Sequence, residues 1–332
     1  MEEERRRYLE RRERIRRRKR ARRIRGLFLL VVLVVAVSAA LSLIGKWSGG
    51  KVNLAYANEA QWYVLDSMDL LDQRQHPLPS YRDSLKEQFT RRLVKGGNYV
   101  SHVEKYAFDT GLISDIIERD EAPSDFGKWA FLTFDDGPNE TITPQILDTL
   151  EEKDARATFF VVGGSINEKD RPMLMRQLIG GNSIAMHSHS HNYKKLYPGR
   201  VGSSGTIAQE ADLAQESLKA VLGEDFHTSV WRYPGGHMSW KGLEDADEAL
   251  AAKGIHWVDW NSLTGDAEPK SRRPVTTDGF VDFMNRSARF NEQSDVLVVL
   301  MHDAETKQGT ADALGAIIDE LRDQGYEFGI LK

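Results

Sequence analysis

From about residue 126 to the C-terminus, short apolar runs alternate with helical stretches, and this alternation constrains the fold more than any other feature of the sequence. Seven runs have the length and composition of strands: 129–134, 157–162, 183–187, 228–232, 256–260, 295–302 and 327–331. Helical stretches lie between several of them, at 144–153, 206–222, 242–253 and 309–323. Strands that alternate with helices predict an α/β fold with a parallel sheet, either closed into a barrel or doubly wound.

Ionisable residues stand at the ends of five of these predicted strands. In chain order they are Asp135 and Asp136, His187 and His191, Arg232, Asp266, and His302. Because the carboxyl ends of parallel strands meet on one side of a barrel or sheet, these side chains are expected to converge on one mouth. The pair of carboxylates is followed at once by Gly137-Pro138, a turn that can bring both into a shared cleft.

The stretch MHSHSHN at 186–192 predicts a metal site. His187 and His191 are four residues apart, and two imidazoles with one carboxylate form a familiar hydrolytic zinc set that leaves a position open for water. His189 could instead complete a His-x-His pair. The chain has no cysteine, which excludes disulfides, thiolate nucleophiles and Cys-ligated metals. Histidine and carboxylate ligands suit Zn²⁺ or a similar divalent ion.

The remaining polar residues supply proton transfer and orientation. One acid of the pair can bind the metal while the other serves as a base, and Arg232 can fix a carboxylate by two bonds. The loop after Arg232 is rich in glycine, so a free backbone N–H can support an oxyanion there. His302 is suited to protonate a leaving amine. A phosphatase with an aspartate nucleophile is disfavoured, because that chemistry needs Asp-x-Asp and this chain has Asp-Asp-Gly.

Five stretches, TFDDGP, HSHSH, RYPGG, DWNSLTGDA and LMHD, resemble in sequence and order the five motifs of polysaccharide deacetylases, the NodB homology domain of carbohydrate esterase family 4. The resemblance covers about 126–332. It implies a distorted (β/α) barrel and metal-dependent removal of acetyl groups from a glycan. It also implies that Asp136, His187 and His191 bind one divalent ion, Zn²⁺ in the first place, with Co²⁺ and Ni²⁺ as alternatives.

Carried over by position, the resemblance assigns further roles. Asp135 would be the general base held by Arg232, and His302 the general acid. The backbone N–H of Gly235 would donate to the oxyanion, and Tyr233 and Val299 would line the substrate pocket. Val299 would form the wall that receives the acetyl methyl group.

The fourth motif departs from the family pattern. Leu263 and Ala267 stand where the family has Asp and Trp. Asp266 is then the residue expected to adjust the pKa of His302, and Asp259 is an alternative partner. In the third motif, Gly235 stands where the family often has Tyr.

The N-terminus has the composition of a membrane anchor. Residues 1–25 hold thirteen Arg and one Lys against five Glu, and residues 27–44 are apolar except for two serines. Eighteen residues span about 27 Å as a helix, close to the roughly 30 Å of a bilayer core. The positive-inside rule predicts a single-pass anchor at 26–44, with a cytoplasmic N-terminus, the lipid bilayer as partner of residues 27–44, and an extracellular catalytic region. A secreted form cleaved at 55–57 is the alternative.

The sequence after the anchor predicts a linker at 45–60, a small helical stalk or cap at 61–125 and a catalytic domain at 126–332. The chain beyond the basic tail is acidic, which disfavours a nucleic-acid partner, and the tail is expected to contact anionic lipid. No oligomeric state follows from the sequence.

The outward orientation and the resemblance together favour an acetylated cell-wall glycan as substrate, with peptidoglycan N-acetylglucosamine first. Chitin-like polymers, poly-N-acetylglucosamine and acetylated xylan are the alternatives. A different class of function, a membrane-tethered glycan-binding module with a decayed site, stays open because of the altered fourth motif.

Overall fold

The computed structural model describes residues 92–288 and 295–332. The strands in these ranges are β1 Ala107–Phe108, β2 Trp129–Asp135, β3 Ala157–Val161, β4 Ser183–Met186, β5 Val230–Trp231, β6 His256–Trp257, β7 Ser262–Leu263, β8 Val296–His302, β9 Glu327–Phe328 and β10 Ile330–Leu331. The α-helices are α1 Thr110–Arg119, α2 Ile142–Glu152, α3 Arg171–Ile179, α4 Tyr193–Leu196, α5 Ser204–Leu222, α6 Glu244–Ala251, α7 Thr277–Ala288 and α8 Gln308–Asp323.

The main sheet is parallel throughout and curls into an open barrel. Its strand order is β6-β5-β4-β3-β2-β8-β7, and β9 pairs with the start of β2. The two edges, β6 and β7, follow each other in the chain but do not pair. The predicted α/β fold with parallel strands is therefore confirmed, while the barrel is only partly closed. Strands β5, β6 and β7 are two residues long, too short to continue the ladder around the barrel.

The two central strands bring catalytic candidates to one end of the sheet. Strands β2 and β8 pair in register from Trp129 opposite Val296 to Asp135 opposite His302. Both strands are buried on both faces, as expected for central strands of a parallel sheet. Alternate residues face the barrel interior, where Phe131 and Val298 share one hydrophobic core. The same alternation directs Asp135 and His302 to the interior at the C-terminal mouth.

Part of the stretch predicted as a stalk or cap packs into this core. Asp109 caps α1 by accepting a hydrogen bond from the Leu112 N–H at 2.9 Å. Ile113 and Ile116 are buried in the same cluster as Phe131. Helix α1 contacts both β6 and β8, so it covers the seam that the short edge strands leave open. β1 pairs with β10 at the C-terminus. The predicted domain boundaries themselves stay predictions.

The predicted basic tail, anchor and linker, together with residues 61–91, lie outside the described residues. Within 92–288 and 295–332, no helix combines the length and the apolar character needed to cross a bilayer.

Candidate active site

The backbone at Asp136 explains how two neighbouring carboxylates reach one mouth. Asp136 has φ of +80°, in the left-handed region that L-residues rarely adopt, so the regular alternation of the strand ends there. Both acids consequently approach the same imidazole: His187 Nε2 lies 3.6 Å from Asp135 Oδ2 and 3.8 Å from Asp136 Oδ1. Strained backbone of this kind is concentrated at functional sites.

A buried carboxyl group, Asp303, lies behind this turn. Its Oδ2 accepts a hydrogen bond from Thr143 Oγ1 at 2.7 Å. A Cβ added to Gly137 would lie 2.0 Å from the same oxygen, so only glycine allows this approach. Burial raises the pKa of Asp303 to about 7, and the charge of Asp136 adds to the rise. Sequence reasoning missed this residue, although its position directly after His302 is a usable signal.

A side chain of helix α5 fixes the histidine loop, residues 187–192, which follows β4. Glu210, buried on that helix, accepts hydrogen bonds from the backbone N–H groups of His189 and Ser190, at 3.0 and 2.6 Å. The His191 N–H donates to Ser188 Oγ at 2.9 Å, and both of these residues have positive φ. Glu210 carries no signal in the sequence that would identify this role.

Asp136, His187 and His191, which the sequence predicts as metal ligands, lie together in the structure. One ligand atom from each lies within 4.8 Å of the other two. Asp136 Oδ1 lies 3.4 Å from His191 Nε2 and 3.8 Å from His187 Nε2. Neighbouring ligands of tetrahedral zinc are about 3.3 Å apart when the bonds are about 2.0 Å, so this spacing fits a divalent ion. The ring of His189 lies near Ser217 Oγ, 3.4 Å away, and does not belong to the cluster.

The environment of His187 favours the form that binds metal. Its Nδ1 lies 3.0 Å from the carbonyl oxygen of Arg232, so Nδ1 carries the proton and Nε2 presents its lone pair toward Asp136. Burial lowers the pKa of His187, so the ring stays neutral. The residues present therefore fit a divalent cation.

Arg232 orients the predicted base with one bond rather than two. It is fully buried, and its Nη1 donates to Asp135 Oδ1 at 2.9 Å and to Thr133 Oγ1 at 2.7 Å. Its Nε and Nη2 donate instead to the carbonyl oxygens of Val258 and Asp259, each at 3.2 Å. The expected two-bond contact is wrong, because the other guanidinium donors satisfy backbone acceptors across the barrel. Asp135 Oδ2 is left facing His187.

Asp266, and not Asp259, is the partner of His302. Asp266 Oδ1 lies 2.9 Å from His302 Nδ1, and its Oδ2 accepts the His302 backbone N–H at 2.8 Å. Asp259 instead accepts hydrogen bonds from the backbone N–H groups of His237 and Met238. Burial lowers the pKa of His302, but the hydrogen bond and charge of Asp266 outweigh burial and raise it overall. Since Nδ1 faces Asp266, Nε2 is the nitrogen that remains for a substrate.

The Gly235 turn lies open at the mouth. Gly235 is exposed with φ of +80°, and among the described residues its N–H finds no acceptor. Trp240 supports the turn by donating its Nε1–H to the Pro234 carbonyl oxygen at 2.9 Å. The neighbouring ring of Tyr193 also lines this edge, where burial and the charge of Asp136 raise its pKa. Tyr193 was not identified from the sequence.

Two residues that were predicted as substrate contacts, Tyr233 and Val299, do not face the mouth in the structure. Tyr233 is fully buried, and its hydroxyl donates a hydrogen bond to Asp247 Oδ1 at 2.7 Å. Its side chain therefore points away from the mouth. Val299 lies on the face of β8 opposite His302, because successive strand residues alternate. Leu300, two residues before His302, shares its face and is the better candidate for the wall of an acetyl pocket.

Comparisons with known proteins agree with this geometry. Residues 124–253 match the family described as polysaccharide deacetylase. A peptidoglycan-N-acetylglucosamine deacetylase of Bacillus cereus is 31% identical over 212 residues, which are 62% of this chain and 72% of that protein. The PgdA enzyme of Listeria monocytogenes, also named a peptidoglycan-N-acetylglucosamine deacetylase, is 28% identical, with 59% of this chain and 36% of that protein covered. Among solved structures, a Streptococcus mutans CE4 esterase is 44% identical with a TM-score of 0.68, covering 71% of this chain and 97% of that one.

Proposed function

We propose that this chain, which belongs to the polysaccharide deacetylase family, removes the N-acetyl group from N-acetylglucosamine residues of peptidoglycan and releases acetate. As a member of that family it is a hydrolase that acts on C–N bonds. The observation that carries the proposal is the cluster of Asp136, His187 and His191 beside Asp135, a carboxylate held separately by Arg232.

A divalent ion, which we propose to be Zn²⁺, would polarise the acetyl carbonyl and lower the pKa of the attacking water. Asp135 takes the proton of that water, since Arg232 holds its Oδ1 and leaves Oδ2 toward the cluster. His302 gives a proton from Nε2 to the sugar nitrogen as the C–N bond breaks, and Asp266 keeps the ring oriented through Nδ1. The backbone N–H of Gly235 donates to the oxygen on which negative charge develops.

The choice of peptidoglycan is supported by the names of the relatives and by the predicted orientation of the chain. The relatives from Bacillus cereus and Listeria monocytogenes are both peptidoglycan-N-acetylglucosamine deacetylases. We further propose that residues 26–44 anchor the chain with its catalytic region outside the cell, where this polymer is found. Chitin-like polymers, poly-N-acetylglucosamine and acetylated xylan are the competing substrates.

Acetate release from defined polymers tests the proposal. The full chain is incubated with purified peptidoglycan, chitooligomers or acetylated xylan, with and without a chelator, and acetate is measured. We expect release from peptidoglycan that the chelator abolishes and added Zn²⁺ restores. Mass spectrometry of the digested product would identify the deacetylated sugar. Retention of peptidoglycan without acetate release from any polymer would indicate a glycan-binding module instead.

A further inference from the structure

Tyr193 connects the metal-binding loop to the Gly235 turn. It follows the histidine loop directly, and its ring centroid lies 5.3 Å from that of His191. Its hydroxyl oxygen lies 3.4 Å from the position that a Cβ on Gly235 would occupy. The phenol therefore reaches from the proposed metal ligands to the backbone that carries the proposed oxyanion donor.

The ring of Tyr193 is fixed by packing, but its hydroxyl forms no hydrogen bond with the described residues. The ring packs against Trp240 at a centroid distance of 5.3 Å, and Trp240 is itself bonded to the Gly235 turn. Tyr193 is 44% exposed, and no group among the described residues forms a hydrogen bond with its hydroxyl. The neighbouring Tyr233, by contrast, donates to Asp247. A supported ring with an uncommitted donor at the mouth is suited to bind substrate.

We propose that the Tyr193 hydroxyl donates a hydrogen bond to the acetyl carbonyl oxygen, as a second oxyanion donor beside the Gly235 N–H. The inference rests on the proposed deacetylation. When the water oxygen forms its bond to the carbonyl carbon, the π electron pair moves onto the carbonyl oxygen, and the water proton passes to Asp135. The pair returns as the C–N bond breaks, and the nitrogen takes a proton from His302. Tyr193 keeps its own proton throughout, as its phenol is neutral near pH 7.

A donor aimed at a developing oxyanion contributes more in the transition state than in the ground state, so its removal lowers kcat more than it raises KM. The aromatic ring could alternatively serve as a surface on which a sugar stacks. The two roles respond differently to loss of the hydroxyl: Tyr193→Phe removes an oxyanion donor for any acetyl substrate but keeps the ring on which a sugar would stack.

The test compares Tyr193→Phe with Tyr197→Phe in the full chain, on an acetylated glycan and on an aryl acetate that has no sugar. Tyr197 is the matched control, because its ring stacks on Trp240 at 4.0 Å but its hydroxyl is buried. We expect Tyr193→Phe to lower kcat by about 10²–10³-fold on both substrates, with metal content and melting temperature unchanged. Tyr197→Phe should keep kcat close to wild type.

An unchanged kcat in Tyr193→Phe, or a loss confined to the glycan, would overturn the oxyanion role. The aryl acetate keeps this outcome separate from the proposed function: a wild-type chain that cleaves the aryl acetate but no glycan would refute the glycan substrate while Tyr193 is still tested. A wild-type chain that is inactive on both substrates would refute both proposals.

Discussion

Asp135 and Asp136 are chemically identical neighbours that the structure places in different surroundings. Asp135 ends a regular strand and accepts a hydrogen bond from Arg232. Asp136 has a left-handed backbone conformation that ends the strand, and its side chain approaches His191. The difference supports the proposed roles, which are proton transfer for Asp135 and metal binding for Asp136. At the residue scale, the site therefore depends on a single backbone dihedral angle as much as on side-chain type.

The two isosteric variants Asp135→Asn and Asp136→Asn test this assignment. Asp136→Asn should lose most of its bound metal, because an amide is a weaker ligand than a carboxylate. Asp135→Asn should keep the metal and lose turnover by about 10²–10⁴-fold, since an amide cannot accept the proton. Metal analysis of the purified variants and acetate release measure the two effects. Normal metal content in Asp136→Asn would contradict the assignment.

The pH dependence of turnover tests the Asp266–His302 pair. His302 acts as an acid only when protonated, so activity is present below its pKa and is lost as pH rises through it. Asp266 raises that pKa, so Asp266→Asn should move the basic limb of the kcat profile to lower pH. Thr310→Val removes another donor to Asp266 and should leave the limb near its wild-type position. An unmoved limb in Asp266→Asn would remove His302 as the titrating acid.

At the scale of elements, the long central strands were predicted well, whereas elements of several lengths were missed. Strands β2 and β8 were expected at 129–134 and 295–302 and lie within a residue of those bounds, because central strands are apolar on both faces. Strand β7 and helices α3 and α7 were not predicted. A two-residue strand has no periodicity to detect, and its existence depends on pairing with β8. Local patterns identify elements that are stable on local grounds, and the rest form through tertiary contacts.

The contact between α5 and the histidine loop gives a prediction at this scale. Glu210→Ala removes the acceptor of two backbone N–H groups and should loosen the loop that carries His191. We expect metal affinity to fall by about 10–100-fold, as for other groups that support ligands. The variant Glu216→Ala, on the same helix, is the control. Metal titration measures the affinity, and equal affinity in both variants would rule out this support.

Across the described part of the molecule, the sheet and the segment that precedes it share one core. Ile113 is fully buried among interior side chains of the barrel, while its neighbour Leu112 is 42% exposed. Helix α1 contacts both β6 and β8 near the open seam of the sheet, so residues outside the recognised motifs complete the curled sheet. The described part of the predicted cap thus contributes to stability of the catalytic region.

Unfolding of the full chain tests this shared core. Ile113→Ala should lower the free energy of unfolding of the catalytic region by about 2–5 kcal/mol, through lost burial and a cavity. Leu112→Ala should change it by less than about 1 kcal/mol, since that side chain is largely solvated. Denaturant titration followed by tryptophan fluorescence measures both. Equal effects of the two variants would mean that α1 is independent of the sheet.

The residues at the strand ends, the alternation of strands and helices and the family could all be predicted from the sequence, because each depends on local pattern and order along the chain. Contacts between distant segments settled the remaining points. The partner of His302, the direction of Tyr233, the support given by Glu210 and the position of Asp303 depend on which face each element turns inward. Side-chain direction follows from packing across more than a hundred residues of chain, as for Thr143 and Asp303. Local periodicity contains no information about such pairs.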